Sequence, residues 1–400
     1  MAVMSQLVLQ KRMLFEFRDQ KKDWVIMVKT GRVAFNKMDA VTFGVPAADA
    51  LKEEVARIGG QRIFLMISGS LNRNTDEISK IRNALGNKIV GEFDKMSPHT
   101  PRKDVIEASE VARKSKADLI VTFGGGSITD AAKAVALCLS NNISDPKMMD
   151  ILNSTDSVKA PTVPQITIPT TLSGGEFSAI SGVTDELSKK KDLFRHSNII
   201  PNAVILDPMP TLHTPEWLFL STGIRAVDHC VEGICSSKSN AYGDAQALQG
   251  LTLLSSGLLG VKNDASDIQA RLDCQMGTWL SMAPLSSGVP MGASHGIGYV
   301  LGAAFDIPHG HTSCIMLPAV MRWNKKVNKK RQELISSAMK QPDTDAGDLL
   351  EALISKLGMP SRLSEVGIKK SEFEEISRKA MDTPWAVSYT HLTLPTTPYV

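Results

Sequence analysis

The chain has 400 residues, 42% hydrophobic and 22% charged, with a formal charge of +3. That length suits two domains, and the composition is that of a globular protein rather than a disordered or fibrous one. Dispersed basic residues argue against nucleic acid or an anionic membrane as partner. No apolar run reaches the length of a membrane span and no secretory signal pattern opens the chain, so a cytoplasmic protein is expected.

In chain order, the stretch 1–38 offers two short strand candidates, 14–17 and 24–28. A clearer pattern starts at Val41. A helix is predicted over 47–58, stopped by Gly59-Gly60. The apolar run 62–68 predicts a buried parallel strand. Helices follow at 76–85 and 104–114, and strands at 89–93, 117–123, 165–168 and 203–206. Strands alternating with helices predict a parallel sheet, with a ligand site beyond the carboxyl ends of its strands. Strand signals are nearly absent from Pro215 to Lys379. The expected division is therefore an α/β domain over 1–208 and an all-helical domain over 209–386. The Thr- and Pro-rich segment 387–400 fits no helix and reads as a translated sequencing adaptor, a non-native tail beyond which the natural protein would continue differently.

The five cysteines, Cys138, Cys230, Cys235, Cys274 and Cys314, include no CxxC pair. Their odd number fits reduced thiols rather than a disulfide framework. Cys230 reads as a small buried residue before it reads as a reactive thiol.

Four motifs carry chemistry. Gly124-Gly-Gly-Ser-Ile-Thr-Asp-Ala-Ala-Lys133 follows a strand and opens a helix. Its glycines admit a close ligand, and the free N–H groups at the helix start face it. This suits a pyrophosphate, although the spacing is not GxGxxG. Gly124, Gly125, Gly126, Ser127 and Asp130 are the candidate contacts. Pro169-Thr-Thr-Leu-Ser-Gly-Gly-Glu-Phe-Ser178 is either a second wall of that pocket, through Thr170 and Thr171, or a plain polar loop. Arg225 and His229 are four apart and share a helix face, continued by Glu232. Alone, such a pair is more often a packing feature. His295 and Tyr299 are again four apart, with His309 further on. Gly292, Gly296, Gly298 and Gly302 point to close packing there, and His311 to an outer position.

Taken in register from about Val41 to Ala386, these motifs resemble the iron-containing (group III) alcohol dehydrogenase superfamily. The resemblance implies a dehydroquinate synthase-like architecture, with a dinucleotide-binding α/β domain, an all-helical domain, and NAD(P)H meeting substrate between them. In its metal-dependent members one Asp and three His hold Fe²⁺ or Zn²⁺. By position the histidines fall on His229, His295 and His309, but the Asp falls on Arg225. A further histidine implicated in catalysis falls on Tyr299. The loop from Thr171 to Glu176 has four intervening residues, which is similar to the maleylacetate reductase branch, a branch that works without added metal.

An arginine is no ligand for a divalent ion. Its guanidinium instead takes a carboxylate in bidentate fashion or polarises a carbonyl oxygen. The expected catalytic set is therefore Arg225, His229, His295, Tyr299 and His309, with Tyr299 or His229 as proton source. No metal is favoured; an ion, if bound, would use His229, His295 and His309. After strand 62–68 no acid is present for the ribose hydroxyls, so Ser68, Ser70 and Arg73 are expected to tolerate the 2′-phosphate of NADPH, with NADH still open. The expected substrate is a small oxo-acid or alcohol, in aromatic-ring catabolism or a related route, and a homodimer is the default assembly. Three rival readings stand beside this one: a metal-dependent alcohol dehydrogenase using three histidines, a decayed nucleotide-binding relic, and dehydroquinate synthase-like chemistry.

Overall fold

A computed structural model describes residues 14–17, 24–27, 32–154 and 158–383. The chain divides into two units after Ala34. In the first, β1 (Leu14–Phe17) and β2 (Trp24–Met27) pair antiparallel, at the two strand candidates. The tail 387–400 lies outside the described residues.

The second unit opens with β3 (Ala40–Phe43), α1 (Ala47–Ile58), β4 (Ile63–Ile67), α2 (Gly69–Asn74), α3 (Glu77–Leu85), β5 (Ile89–Phe93), α4 (Arg102–Lys114), β6 (Leu119–Gly124) and α5 (Gly126–Ser140). β7 (Gln165–Pro169), β8 (Ile180–Asp185), β9 (Lys190–Arg195) and β10 (Ala203–Leu206) follow. Six of these strands form one parallel sheet in the order β3-β10-β7-β6-β4-β5. β4, β6, β7 and β10 are buried along their whole length. Continuous apolar runs of that kind belong to strands covered on both faces. α1 turns Ala50, Leu51 and Val55 inward and stops at Gly59, whose φ of 86° suits glycine and whose N–H closes on the Val55 carbonyl.

The β8–β9 hairpin is absent from the sequence reading. It forms a separate two-stranded antiparallel ribbon. Asp185 shapes its turn by accepting from the Leu187 N–H (3.0 Å) and the Ser188 hydroxyl (2.6 Å). Lys189-Lys190-Lys191 hid the second strand, since lysine is poor evidence for one.

From Met209 the described residues carry no strand. The helices are α6 (Glu216–Cys235), α7 (Ala241–Asn263), α8 (Ile268–Ser281), α9 (Ala283–Ser286), α10 (Ala293–Phe305), α11 (His309–Ala338), α12 (Ala346–Lys356) and α13 (Phe373–Met381). None is long and apolar enough to cross a membrane. All five cysteines are free thiols, and Cys230 is a buried one on α6.

α6 is the axis of this region: every residue from Phe219 to Ile234 is buried. Polar groups on such a helix must find partners or a ligand. The helix is also clasped to the sheet. Thr222 Oγ1 accepts from the Leu172 N–H (3.0 Å), and Thr214 Oγ1 donates to the Thr170 carbonyl (2.8 Å). The loop after β7 is thereby laid against the start of α6.

Candidate active site

β4 and β6 are neighbours, so the segments leaving their carboxyl ends meet. A Cβ on Gly124 would lie 2.5 Å from Ile128 Cδ1 and 3.1 Å from Ser68 Cβ. One on Gly125 would lie 3.2 Å from Thr171 Cγ2, and one on Gly126 3.2 Å from Ser173 Cβ. The glycine turn is thus walled by Ser68 on one side and by the Thr171–Ser173 loop on the other, with the start of α5 behind it. A turn of that shape at a helix start suits a phosphate-bearing ligand.

The other cofactor candidates differ in what they do. Thr170 is a clasp, with its N–H on the Gly124 carbonyl (3.0 Å) and its own carbonyl on Thr214. Thr171 Oγ1 shares a hydrogen bond with Ser173 Oγ (3.2 Å). Ser127 Oγ accepts from the His99 N–H (3.2 Å). Ser68 caps α2 by accepting from the Leu71 N–H, while Ser70 and Arg73 on α2 are exposed. Asp130 lies one turn into α5, 3.5 Å from Lys133 Nζ. Lys133 is fully buried and donates to the Gly175 and Ile180 carbonyls, stapling loop and hairpin to α5.

The second group gathers on α6, α10 and α11. Arg225, Asp228, His229 and Glu232 all project from α6 and are buried. Arg225 NH1 donates to Ser313 Oγ on α11 (3.1 Å). Asp228 Oδ2 accepts from Ser294 Oγ and Ser313 Oγ, both at 2.7 Å. Glu232 accepts from the backbone N–H groups of Gly292 and Ser294, both at 2.7 Å, and so caps α10. Its Oε2 also lies 2.8 Å from His295 Nδ1. The His229 and His295 rings pack at 4.8 Å between centroids.

These contacts set the charges. Burial, then His295 and Arg225, push His229 well below its usual range, so it is neutral. Burial, Lys191 and Arg225 do the same to His309. Burial and Arg225 also press on His295, but Asp228 and Glu232 outweigh them and hold it above its usual value. Burial raises the Tyr299 phenol, which therefore keeps its proton.

His309 opens α11 and stands across from Tyr299, with centroids 6.0 Å apart. Its other neighbours carry no signal in the sequence. Lys191 on β9 reaches it, Nζ to Nε2 3.2 Å. A neutral imidazole can accept there from the Lys191 amine, whose charged form burial disfavours. His99 packs edge-on against it at 5.6 Å and pairs with Asp306 (3.3 Å). His99 and Thr100 both have positive φ, 63° and 56°, an unusual conformation for side-chain-bearing residues and one that collects at functional sites. That strain has no signature in a single sequence. His311 packs on Trp217 (5.6 Å), at the outer position expected of it.

Residues 39–208 match the family model for iron-containing alcohol dehydrogenase, and 219–393 the C-terminal model of the Fe-containing alcohol dehydrogenase family. The chain belongs to the iron-containing alcohol dehydrogenase family. Dehydrogenase FUM7 of Gibberella moniliformis is 34% identical over 392 residues, spanning 87% of this chain and 91% of that protein. Maleylacetate reductase of Burkholderia cepacia is 28% identical over 349 residues, spanning 87% and 91%. The crystal structure of maleylacetate reductase from Agrobacterium tumefaciens matches with a TM-score of 0.76 at 26% identity, covering 90% of this chain and 93% of its own. Relatives named as dehydrogenases and reductases accord with a nicotinamide-dependent oxidoreductase.

The family name implies a metal ion, and as arranged these residues do not suit one. Among the described residues, the ligating atoms gathered within 4.8 Å of one another are those of Asp228, Glu232 and His295. Glu232 is spent on α10 and His295, and Asp228 Oδ2 on two hydroxyls; Asp228 Oδ1 alone is without a partner. His229 Nδ1, His295 Nε2 and His309 Nδ1 are each buried and unpartnered, yet the three histidines are not gathered into one such group. Arg225 stands 4.0 Å from Asp228, and the Lys191 amine, whose charged form burial and Arg225 disfavour, 3.2 Å from His309, so a guanidinium and an amine already occupy the place. Like charges at that range repel strongly in a buried site.

Proposed function

We propose that this chain is an NAD(P)H-dependent reductase of a small oxo-acid, working without a resident metal, with Arg225 as the electrostatic centre of its site. The observation that carries the reading is the state of Arg225. It is 8% exposed, and its one hydrogen bond among the described residues is to Ser313. A guanidinium has five N–H donors, and those that Ser313 does not hold are not sealed among the buried unpartnered atoms, so they face space that a ligand can fill. A planar carboxylate, or the oxygen of a carbonyl under reduction, is such a ligand. The likeness to maleylacetate reductases supports the same substrate class.

When bound, the nicotinamide supplies the hydride. Arg225 stabilises the negative charge that grows on the carbonyl oxygen. His229, kept neutral, is the weaker of the two proton sources expected from sequence. Tyr299 and His295 are the groups there that hold a proton to give. The cradle at Gly124–Gly126 takes the pyrophosphate, and the lack of an acid at Ser68 and Ser70, with Arg73 exposed beside them, favours tolerance of NADPH.

A metal-dependent alcohol dehydrogenase is the second reading, drawn from the proximity of Asp228, Glu232 and His295. It requires Glu232 to leave the start of α10. Maleylacetate-dependent NAD(P)H oxidation, followed by absorbance with and without a chelator, separates the two. Turnover that survives chelation is expected. Turnover lost to the chelator and restored by Fe²⁺ or Zn²⁺ would overturn the metal-free reading, and a protein that reduces simple aldehydes but no oxo-acid would overturn the substrate class.

A further inference from the structure

Opposite charges one turn apart on a buried helix ordinarily close into a contact pair. Arg225 and Asp228 do not: NH1 and Oδ2 stay 4.0 Å apart. Ser313 is the reason. Its hydroxyl accepts from Arg225 NH1 at 3.1 Å and donates to Asp228 Oδ2 at 2.7 Å, so it stands between the two charges. Ser294 donates to the same oxygen at 2.7 Å, and His295 Nδ1 lies 3.5 Å from it. Asp228 Oδ2 is thus filled by hydroxyl donors before the guanidinium can reach it. Both serines are fully buried and come from different helices, α10 and α11. Gly298 keeps the slot open, since a Cβ there would lie 2.8 Å from Thr312 Oγ1 and 3.6 Å from Arg225 NH1.

We propose that Ser313, supported by Ser294, is a positioning residue that holds Arg225 out of a contact ion pair with Asp228 and so leaves its fork free for a substrate carboxylate. The inference rests on the oxo-acid reading and adds what keeps the arginine available. An arginine paired fully with Asp228 would be neutralised by its own helix. Bridged through a hydroxyl, it keeps its uncommitted donors while Asp228 still balances its charge.

The test uses Ser313→Ala, its combination with Asp228→Asn, and maleate as a non-reducible carboxylate probe. In a crystal structure of Ser313→Ala, the guanidinium should close onto Asp228 to hydrogen-bond distance. Calorimetry should show maleate binding weakened about tenfold or more, the size of a lost hydrogen bond to a charged group. In Ser313→Ala/Asp228→Asn the capturing anion is gone, and affinity should return to about that of the wild type. A merely structural role would not give this rescue. Ser294→Ala should shift binding in the same direction, and serves if Ser313→Ala does not fold. An unmoved guanidinium in the alanine variant, or a double variant that binds no better than the single one, overturns the proposal. Failure of the wild type to bind maleate would instead sink the oxo-acid reading, and the Arg225–Asp228 distance in the variant would still decide this one.

Discussion

Burial acts on single residues here, and Glu176 shows it plainly. It is 2% exposed, and burial lifts its carboxyl from 4.5 to about 7, with Lys133 pulling the other way. A raised carboxyl binds its proton more tightly in the folded state than in the unfolded one. Stability should therefore fall as pH rises from about 4.5 to about 7. Glu176→Gln should abolish that fall, so denaturation midpoints of variant and wild type should agree at pH 4.5 and separate by pH 7.5. Equal separation at both would show that Glu176 does not titrate in that window. At this scale the sequence singled out Arg225 and the three histidines as candidates, because their positions carry a family's pattern. It did not show Asp228, Ser294 or Ser313. A serine gains a role only when another helix brings it a charge, and nothing local marks that event. Lys191 failed for a different reason, since a run of three lysines looks like a solvated face.

At the scale of elements, the parallel strands and their helices were legible because period and glycine stops agree with the fold. The hairpin was not, because its residues alternate weakly and its role is to deliver one side chain. Close approach between helices was visible only as glycines without a stated purpose. Gly292 now has one: a Cβ there would lie 2.5 Å from Glu232 Oε1. Glu232 needs that space to cap α10 and hold His295. Gly292→Ala should cost about 1–3 kcal/mol, as overpacking does, read from urea denaturation. It should also lower turnover, by moving His295. A variant of unchanged stability would mean that Glu232 shifts without strain.

For the whole molecule, the clasps between sheet and helices decide how the second unit unfolds. Thr170 with Thr214, Leu172 with Thr222, and Gln275 Nε2 with the Asp207 carbonyl (3.1 Å) join elements on both sides of the expected boundary at 208. Such buried bonds favour one cooperative transition over two. Trp217, Trp279 and Trp323 lie in the helical region, and no tryptophan falls between 35 and 208. In a background with Trp24→Phe and Trp385→Phe, fluorescence therefore reports the helices, while far-UV circular dichroism reports sheet and helices together. Their urea curves should coincide; a fluorescence midpoint displaced from the dichroism midpoint would show two regions that unfold separately. The loss of strands after β10 was readable as a change of pattern. The clasps across that point were not, since they join residues far apart in sequence through backbone groups that carry no side-chain signature.

The ribbon of β8 and β9 rests on α5 and meets Pro101 through a single bridge at Thr184, outside the six-stranded ladder. Its turn, 186–189, can thus change length or composition without altering the pairing of any strand in that ladder. Lys191 sits two residues past the turn. For directed evolution this makes a short peripheral segment a tuning handle on the Lys191 side of the site: libraries confined to four surface positions would reposition that amine next to His309 while leaving the glycine turn at 124–126 untouched.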